Sequence, residues 1–326
     1  MNNTMCDVRR STFDVGNRTF STSGGFVPGA SVAVSCLSVS RSFLPLCLFA
    51  SFIIFSLSGC GGSGIDGRTG DDGGVGQAVA VVEAEWLVIE LATGSLEARM
   101  EAVADLTTNP IYRTSHLVLR RINAVSTALG SASGERWAQD DEPRSTAAIS
   151  PYFISVFELS RGQWRHLSAS TPWREVVPAS LAGLADDDQL PICGVSLDQV
   201  VAACAAWNRG GTFALPSAVQ WEAACRSGST TAFSWGDQSE EATVSRFALV
   251  RQTVSGIEGP WPVGQREANA FGLYDMHGNI GEWTTDSGLR GGSWHDGLPL
   301  ARSANRMMLD RSTSHALAGA RLIYAP

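Results

Sequence analysis

Beyond Arg226 the chain shows little hydrophobic periodicity, and glycine, tryptophan and polar residues are closely mixed over the rest of the sequence. In such a region, long helices or sheets cannot supply the hydrogen-bond partners of the backbone N–H and C=O groups. It must be held by large side chains and by side-chain hydrogen bonds to loop backbone. The chain has ten tryptophans, and all of them follow Cys60. We therefore predict a loop-rich domain whose core is built largely from tryptophan.

An uncharged apolar run covers residues 43–57. A membrane-spanning helix needs about 20 apolar residues, so this run is short for an anchor and suits the hydrophobic part of a signal peptide. It ends in Leu57-Ser58-Gly59-Cys60, which resembles the lipobox of bacterial lipoproteins. The resemblance implies cleavage before Cys60, lipid on its thiol, and an extracytoplasmic place in the cell envelope, on the outer membrane in a cell that has one.

The alternatives for this run are a short membrane anchor or a buried core strand. The segment upstream of it is long for a signal peptide, which predicts an over-extended start site. We therefore divide the N-terminal part into a lipoprotein signal peptide at residues 1–59 and a flexible linker at residues 60–80. The linker is rich in glycine, aspartate and serine and has no apolar period.

Two β-rich segments follow the linker. Residues 84–91 and 116–122 have strand composition, and Thr93-Gly94 is a turn signal after the first of them. They predict a small β leader module at residues 81–125. A polar stretch at residues 126–147 is predicted to be a loop.

Short helices are predicted from capping residues and apolar spacing. Ser160 is placed to cap a helix that begins at Arg161, and residues 197–208 carry apolar side chains on one helical face. Ser217 and Gln220 have the spacing of a capping box, which predicts a further helix start.

A series of short motifs follows in order between residues 152 and 322. They are residues 152–164, Gly194-Val195-Ser196, residues 215–226, Trp235-Gly236-Asp237, Pro262-Val263-Gly264, residues 269–283, Arg290-Gly291-Gly292-Ser293-Trp294, residues 302–306 and Gly319-Ala320-Arg321-Leu322. Together they resemble the formylglycine-generating enzyme family, also called the sulfatase-modifying factor family. The resemblance implies a domain at residues 145–324 with an α+β, loop-rich, C-type-lectin-like fold that has few helices and small antiparallel sheets.

Members of this family oxidise a sulfatase cysteine to formylglycine, using two cysteines that follow the Arg-Gly-Gly-Ser segment and bind copper. A soft thiolate pair suits Cu(I), but residues 294–306 contain no cysteine. His295 and Asp296 stand near the first expected cysteine, and Leu300 or Ala301 near the second. We therefore predict that no catalytic residues remain and that copper is not a cofactor.

The expected role is a ligand- or protein-binding module, with the membrane as a partner through lipid on Cys60 and with a small ligand or protein that the sequence does not identify. The alternative is a metal-dependent oxidoreductase with a non-standard site. Nucleic acid is not an expected partner, because the formal net charge is −8 and a nucleic-acid binder would show a basic face.

Four residues beside the motifs define a candidate cleft: His277, His295, Asp296 and Arg302. The two histidines could meet there. The alternative is that each histidine is a satisfied surface or core side chain.

Calcium is the candidate cofactor. The resemblance implies a site in the Asn-x-x-Glu-Trp loop, where Asn279, Glu282 and the carbonyls of Ile280 or Gly281 offer the hard oxygen ligands that Ca²⁺ prefers. The alternative is that Glu282 caps the turn or forms an ion pair with Arg302.

Three cysteines remain after Cys60, at positions Cys193, Cys204 and Cys225. Outside the cytoplasm two of them could form a disulfide. Cys204 lies on the apolar face of its predicted helix, which favours a buried thiol instead.

Overall fold

The computed structural model describes residues 81, 83–176, 187–253 and 259–325. The predicted signal peptide, Cys60 and the predicted linker lie outside these residues. The strands are β1 (Trp86–Glu90), β2 (Leu96–Arg99), β3 (His116–Ile122), β4 (Val125–Leu129), β5 (Ser145–Ile149), β6 (Tyr152–Ser155), β7 (Thr212–Ala214), β8 (Gly281–Trp283), β9 (Gly288–Arg290), β10 (Arg306–Met308), β11 (Ala318–Gly319) and β12 (Ile323–Ala325). The α-helices are α1 (Arg161–Leu167), α2 (Trp173–Val176), α3 (Leu197–Ala206), α4 (Ala218–Arg226) and α5 (Glu241–Phe247), and short 3-10 turns cover Pro110–Arg113 and Leu298–Ala301. In the part of the chain that the structure describes, we find no helix with the length and apolar character needed to cross a membrane.

The larger sheet has six strands in the order β2-β1-β3-β6-β12-β7, and its neighbouring strands are antiparallel. Strand β3 lies between β1 and β6, and its residues Leu117, Val118 and Leu119 are all buried. Three consecutive buried apolar residues are typical of an inner strand covered on both faces. The leader strands thus share one sheet with β6 and β12 and do not form a sheet of their own.

The stretch at residues 126–147, predicted to be a loop, contains a two-stranded antiparallel hairpin of β4 and β5. Thr127 and Leu129 are buried while Ser126 is exposed, so buried and exposed side chains alternate as in a strand. The sequence does not show this alternation, because the buried residue Thr127 is polar. The connecting 130–144 loop begins at Gly130, which has φ +73°. A Cβ on Gly130 would stand 2.2 Å from the carbonyl oxygen of Pro143, so only glycine fits there.

The second sheet is smaller and has the order β10-β9-β8-β11. Strands β8 and β11 pair in parallel, and the other two pairs are antiparallel. These strands are two or three residues long, which explains why the sequence beyond Arg226 shows no strand periodicity. Strand β8 carries Glu282 and Trp283 into the centre of the domain, where both are buried.

The predicted helix starts are confirmed. Ser160 caps α1, Ser196 caps α3 and Ser217 caps α4, and each forms a complete capping box with the glutamine three residues later. Helix α3 ends at Ala206, earlier than predicted, because Trp207 adopts extended backbone angles. The Trp207 ring then packs against the ring of Phe213, with 4.4 Å between the ring centroids.

Tryptophan supplies much of the core, as the sequence predicted. Trp164, Trp173, Trp221 and Trp283 are fully buried. Their indole groups also hold the loops: Trp283 donates to the carbonyl of Val195 at 2.9 Å, and Trp164 donates to the carbonyl of Ser170 at 3.1 Å. A ring that is both a large apolar body and a hydrogen-bond donor suits a fold with little regular backbone pairing.

Candidate functional site

The Asn-x-x-Glu-Trp loop enters the domain at β8 and meets the C-terminal segment there. Both carboxylate oxygens of Glu282 accept hydrogen bonds from Arg321, whose Nη2 is 2.7 Å from Oε1 and whose Nε is 3.0 Å from Oε2. Trp221 donates its indole N–H to the same carboxylate at 2.5 Å. Glu282, Arg321 and Trp221 are all buried, so this ion pair is part of the core.

The other guanidinium N–H groups of Arg321 donate hydrogen bonds to backbone carbonyls. Its Nη1 donates to the carbonyls of Ser155 and Val156, and its Nη2 donates to the carbonyl of Tyr274. One guanidinium therefore fixes the end of β6, the loop before β8 and the loop that precedes β12. Buried carbonyls need such partners because an unpaired polar group in the core is costly.

Asn279, three residues before Glu282 in the same loop, is 1% exposed. Its φ is +60°, a left-handed conformation that asparagine tolerates better than most residues. Its Nδ2 donates to Glu158 Oε2 at 2.6 Å, and the N–H of Ile280 donates to Glu158 Oε1 at 3.0 Å. The Oδ1 of Asn279 accepts the N–H of Trp261 at 2.9 Å.

We call Glu158, Asp275, Asn279, Glu282 and Arg321 the Arg321 centre. It holds three buried carboxyl groups and one buried cation. Burial, followed by the nearby carboxylates of Asp275 and Glu282, raises the pKa of Glu158 well above its usual range. Burial also raises the pKa of Asp275 to about 6, against the hydrogen bond that its carboxylate accepts from the N–H of Gly264.

The predicted calcium ligands all lie in this buried loop, but the side-chain oxygens of Asn279 and Glu282 already have partners. Glu282 is held by Arg321, and the Oδ1 of Asn279 accepts from Trp261. A calcium ion would have to compete with a buried guanidinium for the only carboxylate of the set. The residues present therefore do not fit the ion in this arrangement. Calcium stays a prediction from the family resemblance.

Residues 294–301, which follow Arg-Gly-Gly-Ser, contact the Arg321 centre through Asn279. We call them the 294–301 segment. The N–H of Trp294 donates to the carbonyl of Asn279 at 3.0 Å. Asp296 accepts a hydrogen bond from Ser293 Oγ at 2.6 Å through Oδ2, and its carbonyl accepts the N–H of Arg251 at 2.9 Å. Trp294, His295 and Asp296 are half-buried, while Ala301 is fully buried.

The four residues of the predicted cleft divide into two pairs. His295 and Asp296 are half-buried in the 294–301 segment, whereas His277 and Arg302 are buried in the core. His277 is close to the carbonyl of Ala301, 2.7 Å from Nδ1, and to the hydroxyl of Ser234, 3.1 Å from Nε2. Burial lowers the pKa of His277 to about 4. His277 is thus a satisfied core histidine, the alternative that the sequence left open.

The suggested ion pair between Glu282 and Arg302 is wrong. Arg302 forms a two-pronged ion pair with Glu142, at 2.7 Å and 2.8 Å, and a further one with Glu135 at 2.9 Å. These buried contacts fasten the 130–144 loop to the segment before β10. Sequence reasoning missed Glu135 and Glu142 because they stand in a polar run that looked solvent-exposed.

The three cysteines are free thiols, and all are buried. Burial raises the pKa of Cys204 and of Cys225 to about 12. Cys225 Sγ lies 3.6 Å from His277 Nε2 and 3.5 Å from Ser303 Oγ. Within the described ranges, no three His, Cys, Asp or Glu side chains come together in a group that could hold a metal ion.

Comparison with known proteins agrees with the motifs. The family model for the sulfatase-modifying factor enzyme 1-like domain matches residues 117–326. The formylglycine-generating enzyme of Mycobacterium tuberculosis is 33% identical over 130 residues, which cover 38% of this chain and 42% of that protein. The inactive C-alpha-formylglycine-generating enzyme 2 of Mus musculus is 29% identical over 154 residues, covering 40% of this chain and 49% of that protein. The chain thus spans less than half the length of these relatives.

Two solved structures share the fold. PvdO from Pseudomonas aeruginosa superposes with a TM-score of 0.55 at 21% identity, covering 64% of this chain and 95% of that one. Treponema denticola variable protein 1 also superposes with a TM-score of 0.55, at 19% identity, covering 65% of this chain and 96% of that one. The predicted loop-rich α+β fold is confirmed. The chain belongs to the sulfatase-modifying factor family, also known as the formylglycine-generating enzyme family.

Proposed function

We propose that this chain is a lipid-tethered binding protein of the cell envelope, in which a formylglycine-generating-enzyme-type domain binds a small ligand or a protein without copper chemistry. The observation that carries the proposal is the absence of cysteine from residues 294–306. Two soft thiolates at that place are what the copper oxidase reaction requires. His295 and Asp296 near the first expected position offer an imidazole and a carboxylate, and Leu300 or Ala301 near the second offers only an aliphatic group.

The remaining thiols are poorly suited to replace the missing pair. Cys193 and Cys204 belong to one hydrophobic cluster and Cys225 belongs to another. A thiol binds metal as the thiolate, and the pKa values near 12 of Cys204 and Cys225 keep both protonated. Burial likewise raises the pKa of Cys193, against the opposing effect of Arg161.

The alternative of an oxidoreductase with a non-standard site would depend on Cys225 and His277, which lie 3.6 Å apart near the 294–301 segment. Burial raises the pKa of the thiol to about 12 and lowers the pKa of the imidazole to about 4. At neutral pH both groups are therefore uncharged. A nucleophilic or metal-binding pair would need the thiolate, so this contact favours a packing role.

A binding role also agrees with how the 294–301 segment is held. The N–H of Trp294 donates to Asn279 of the buried Arg321 centre, while the side chains of Trp294, His295 and Asp296 are half-buried. Surface loops carried on a rigid scaffold are common sites of recognition. One of the mammalian relatives is named an inactive enzyme, which is consistent with retention of this scaffold without its chemistry.

The test of the missing chemistry is an activity assay on the purified full-length chain. The protein is incubated with copper, dioxygen and a sulfatase-type peptide that contains cysteine, beside a family member that has both cysteines. We expect no conversion of the peptide thiol to an aldehyde by mass spectrometry. Aldehyde formation would overturn the proposal, and its loss on replacement of Cys225 by alanine would identify the thiol responsible.

The tether is tested separately at Cys60. The wild-type chain should incorporate a labelled fatty acid and appear as a shorter, processed form in the membrane fraction. Cys60→Ala should lose both the label and the processed form. Retained labelling and cleavage at the same bond in this variant would refute the lipoprotein assignment without bearing on the domain.

A further inference from the structure

The outer edge of the smaller sheet is formed by β10, which carries two exposed methionines. Met307 is 44% exposed and Met308 is 53% exposed. Within the described ranges, β9 is the only strand that pairs with β10, so the other side of β10 has no neighbouring strand. An open strand edge is a template for pairing with a strand of another chain.

The corresponding edge of the larger sheet is protected by charge. Strand β2 lies at that edge, and its residues Glu97 and Arg99 form an ion pair with each other at 2.8 Å. Charged side chains on an edge strand oppose pairing with other chains. Strand β10 and the residues that follow it have no charged residue and no proline between Arg306 and Asp310. The centre of this edge therefore lacks the protection that β2 has.

The backbone of β10 shows which groups are turned to the open side. The N–H of Leu309 donates to the carbonyl of the residue just before β9, at 3.2 Å. Because the hydrogen-bonding direction alternates along an antiparallel strand, Leu309 and Met307 turn their main-chain polar groups to β9. Arg306 and Met308 turn theirs to the open side, and so does the N–H of Asp310.

The side chains of β10 divide between the two faces of the sheet. Met307 lies opposite the buried Leu289 in the strand register, and Leu309 packs against the main core. Met308 lies opposite Gly288 on the other face, where its Sδ is 3.6 Å from the position of a Cβ on that glycine. The core-side face thus continues as an apolar surface up to the open edge.

We propose that β10 pairs with β10 of a second copy of this chain, antiparallel and centred on Met308. A two-fold axis repeats every contact of such a pair. The two Met308 residues exchange both main-chain hydrogen bonds, and the N–H of Asp310 donates to the carbonyl of Arg306 in the second copy. The smaller sheets of the two copies then form one continuous sheet. This pairing depends neither on the ligand nor on the missing copper chemistry.

The charges beside the methionines favour a second copy as the partner and select the register. With the axis at Met308, Arg306 stands opposite Asp310 of the second copy, and Met307 stands opposite Leu309. Opposite charges in facing cross-strand positions are stabilising, and this pair occurs twice by symmetry. An axis at Arg306 would instead place two arginines opposite each other, which is unfavourable. The sequence Arg-Met-Met-Leu-Asp is therefore self-complementary about Met308.

Both charged residues have contacts within their own chain, and the pairing adds to these. Arg306 binds Asp141 through Nε and Nη2, while its side chain remains 34% exposed. Its Nη1 has no acceptor in the described part of the chain. Asp310 accepts both of its hydrogen bonds from Ser312 on Oδ1, and its Oδ2 is without a partner among the described residues. An arginine has five N–H donors, so the new ion pair can form without breaking either contact.

The first experiment measures the mass of the full-length protein in detergent by light scattering. Micelles are kept in excess over chains, so that two chains do not share a micelle by chance. We expect a reversible dimer with a Kd below about 100 μM, and a Kd at least about tenfold higher in Met308→Lys, which places like charges at the axis. A single-chain mass up to about 500 μM, or a dimer that Met308→Lys leaves unchanged, would overturn the proposal.

An exchange of charges tests the register. Arg306→Glu and Asp310→Arg each place like charges opposite each other, so each variant alone should remain a single chain. A mixture of the two restores both opposite-charge pairs and should form a dimer with one chain of each kind. A fluorophore on one variant reports this by sedimentation, and circular dichroism verifies that both are folded. A mixture of folded variants that stays monomeric would contradict the proposed pairing.

A cross-link tests the geometry in cells that make the full-length chain. Facing residues of a hydrogen-bonded antiparallel pair have Cα atoms about 5.5 Å apart, which suits a disulfide. Mild oxidation with diamide should therefore convert Met308→Cys to a cross-linked dimer. The matched control is Val201→Cys, since Val201 is also 44% exposed but lies on α3. Equal cross-linking in the two variants, or none in Met308→Cys, would overturn the proposal even where a charge variant fails to fold.

Discussion

The Arg321 centre and the 294–301 segment are in contact, yet they use polar residues in opposite ways. In the centre, every polar side chain is buried and is paired with another part of the same chain. In the segment, Trp294, His295 and Asp296 are half-buried, and the backbone of Trp294 and Asp296 is hydrogen-bonded to other parts of the domain. The first region determines the fold, and the second presents a surface.

This difference in burial matches the difference between the positions that agree with the family motifs and the positions that depart from them. Asn279, Glu282, Trp283 and Arg321 match the family motifs and are all buried. Replacing any of them would leave a buried charge or donor without its partner, a cost of several kcal/mol, on the order of 3–5 for an ion pair. The position near the first expected cysteine, by contrast, is occupied by residues that reach solvent, where substitution costs little.

The largest effect is expected for Arg321→Met. The variant leaves the carboxylate of Glu282 in the core without its cation, so the free energy of unfolding should fall by about 3–5 kcal/mol. Urea denaturation measures this loss. The control is Arg311→Met, which removes an exposed ion pair with Asp198 and should cost less than about 1 kcal/mol. Equal losses in the two variants would show that the centre does not carry the fold.

Arg302→Met tests the second buried arginine. The loss of its contacts with Glu142 and Glu135 should lower the free energy of unfolding by about 3 kcal/mol and release the 130–144 loop. Limited proteolysis should then cut within this loop, while the wild type resists. Arg306→Met, which removes a half-exposed pair with Asp141, serves as control. An unchanged cleavage pattern in Arg302→Met would mean that the loop is held by other contacts.

A smaller, pH-dependent effect is expected at Asp275. Burial raises its pKa from the usual 3.8 to about 6, so the fold favours the neutral acid. The stability that this group contributes is complete below pH 3.8 and is lost as the pH rises through about 6. Asp275→Asn keeps an acceptor for the N–H of Gly264 and removes the charge. It should therefore be more stable than the wild type at pH 8, by up to about 3 kcal/mol.

The advantage of Asp275→Asn should disappear near pH 4, where the wild-type acid is neutral as well. Thermal unfolding across this pH range measures the difference. The exposed Asp140 provides the control, because Asp140→Asn should give the same stability difference from the wild type at both pH values. A destabilised Asp275→Asn at pH 8 would show that the carboxylate is needed in its charged form, for example by a cation.

The smallest effect is expected from calcium. Since Arg321 already neutralises Glu282, the wild-type melting temperature should be the same in calcium and in chelator. The calcium site inferred from the family resemblance predicts the opposite. A ligand at a hundredfold excess over its Kd stabilises by about 2.7 kcal/mol, so a clear rise that is abolished in Asn279→Ala would restore that site and sharpen the contrast between the two regions.

Local sequence was sufficient where the physical cause is local. Ser160, Ser196 and Ser217 begin helices because serine accepts from the backbone of the first turn, and each is followed by a glutamine at the capping-box position. The strand at His116–Ile122 was predicted with the bounds that the structure has, since its β-branched and leucine residues have strand composition. The absence of cysteine from residues 294–306 can likewise be read without coordinates.

Other features were decided only by tertiary structure, because they depend on partners distant in sequence. Nothing near Glu282 indicates that it pairs with Arg321, or that Arg302 pairs with Glu142. The β4–β5 hairpin was missed because its inward residue Thr127 is polar and its loop is held by arginines far along the chain. Burial of a charge is set by what surrounds it in three dimensions, and a sequence states only that the charge exists.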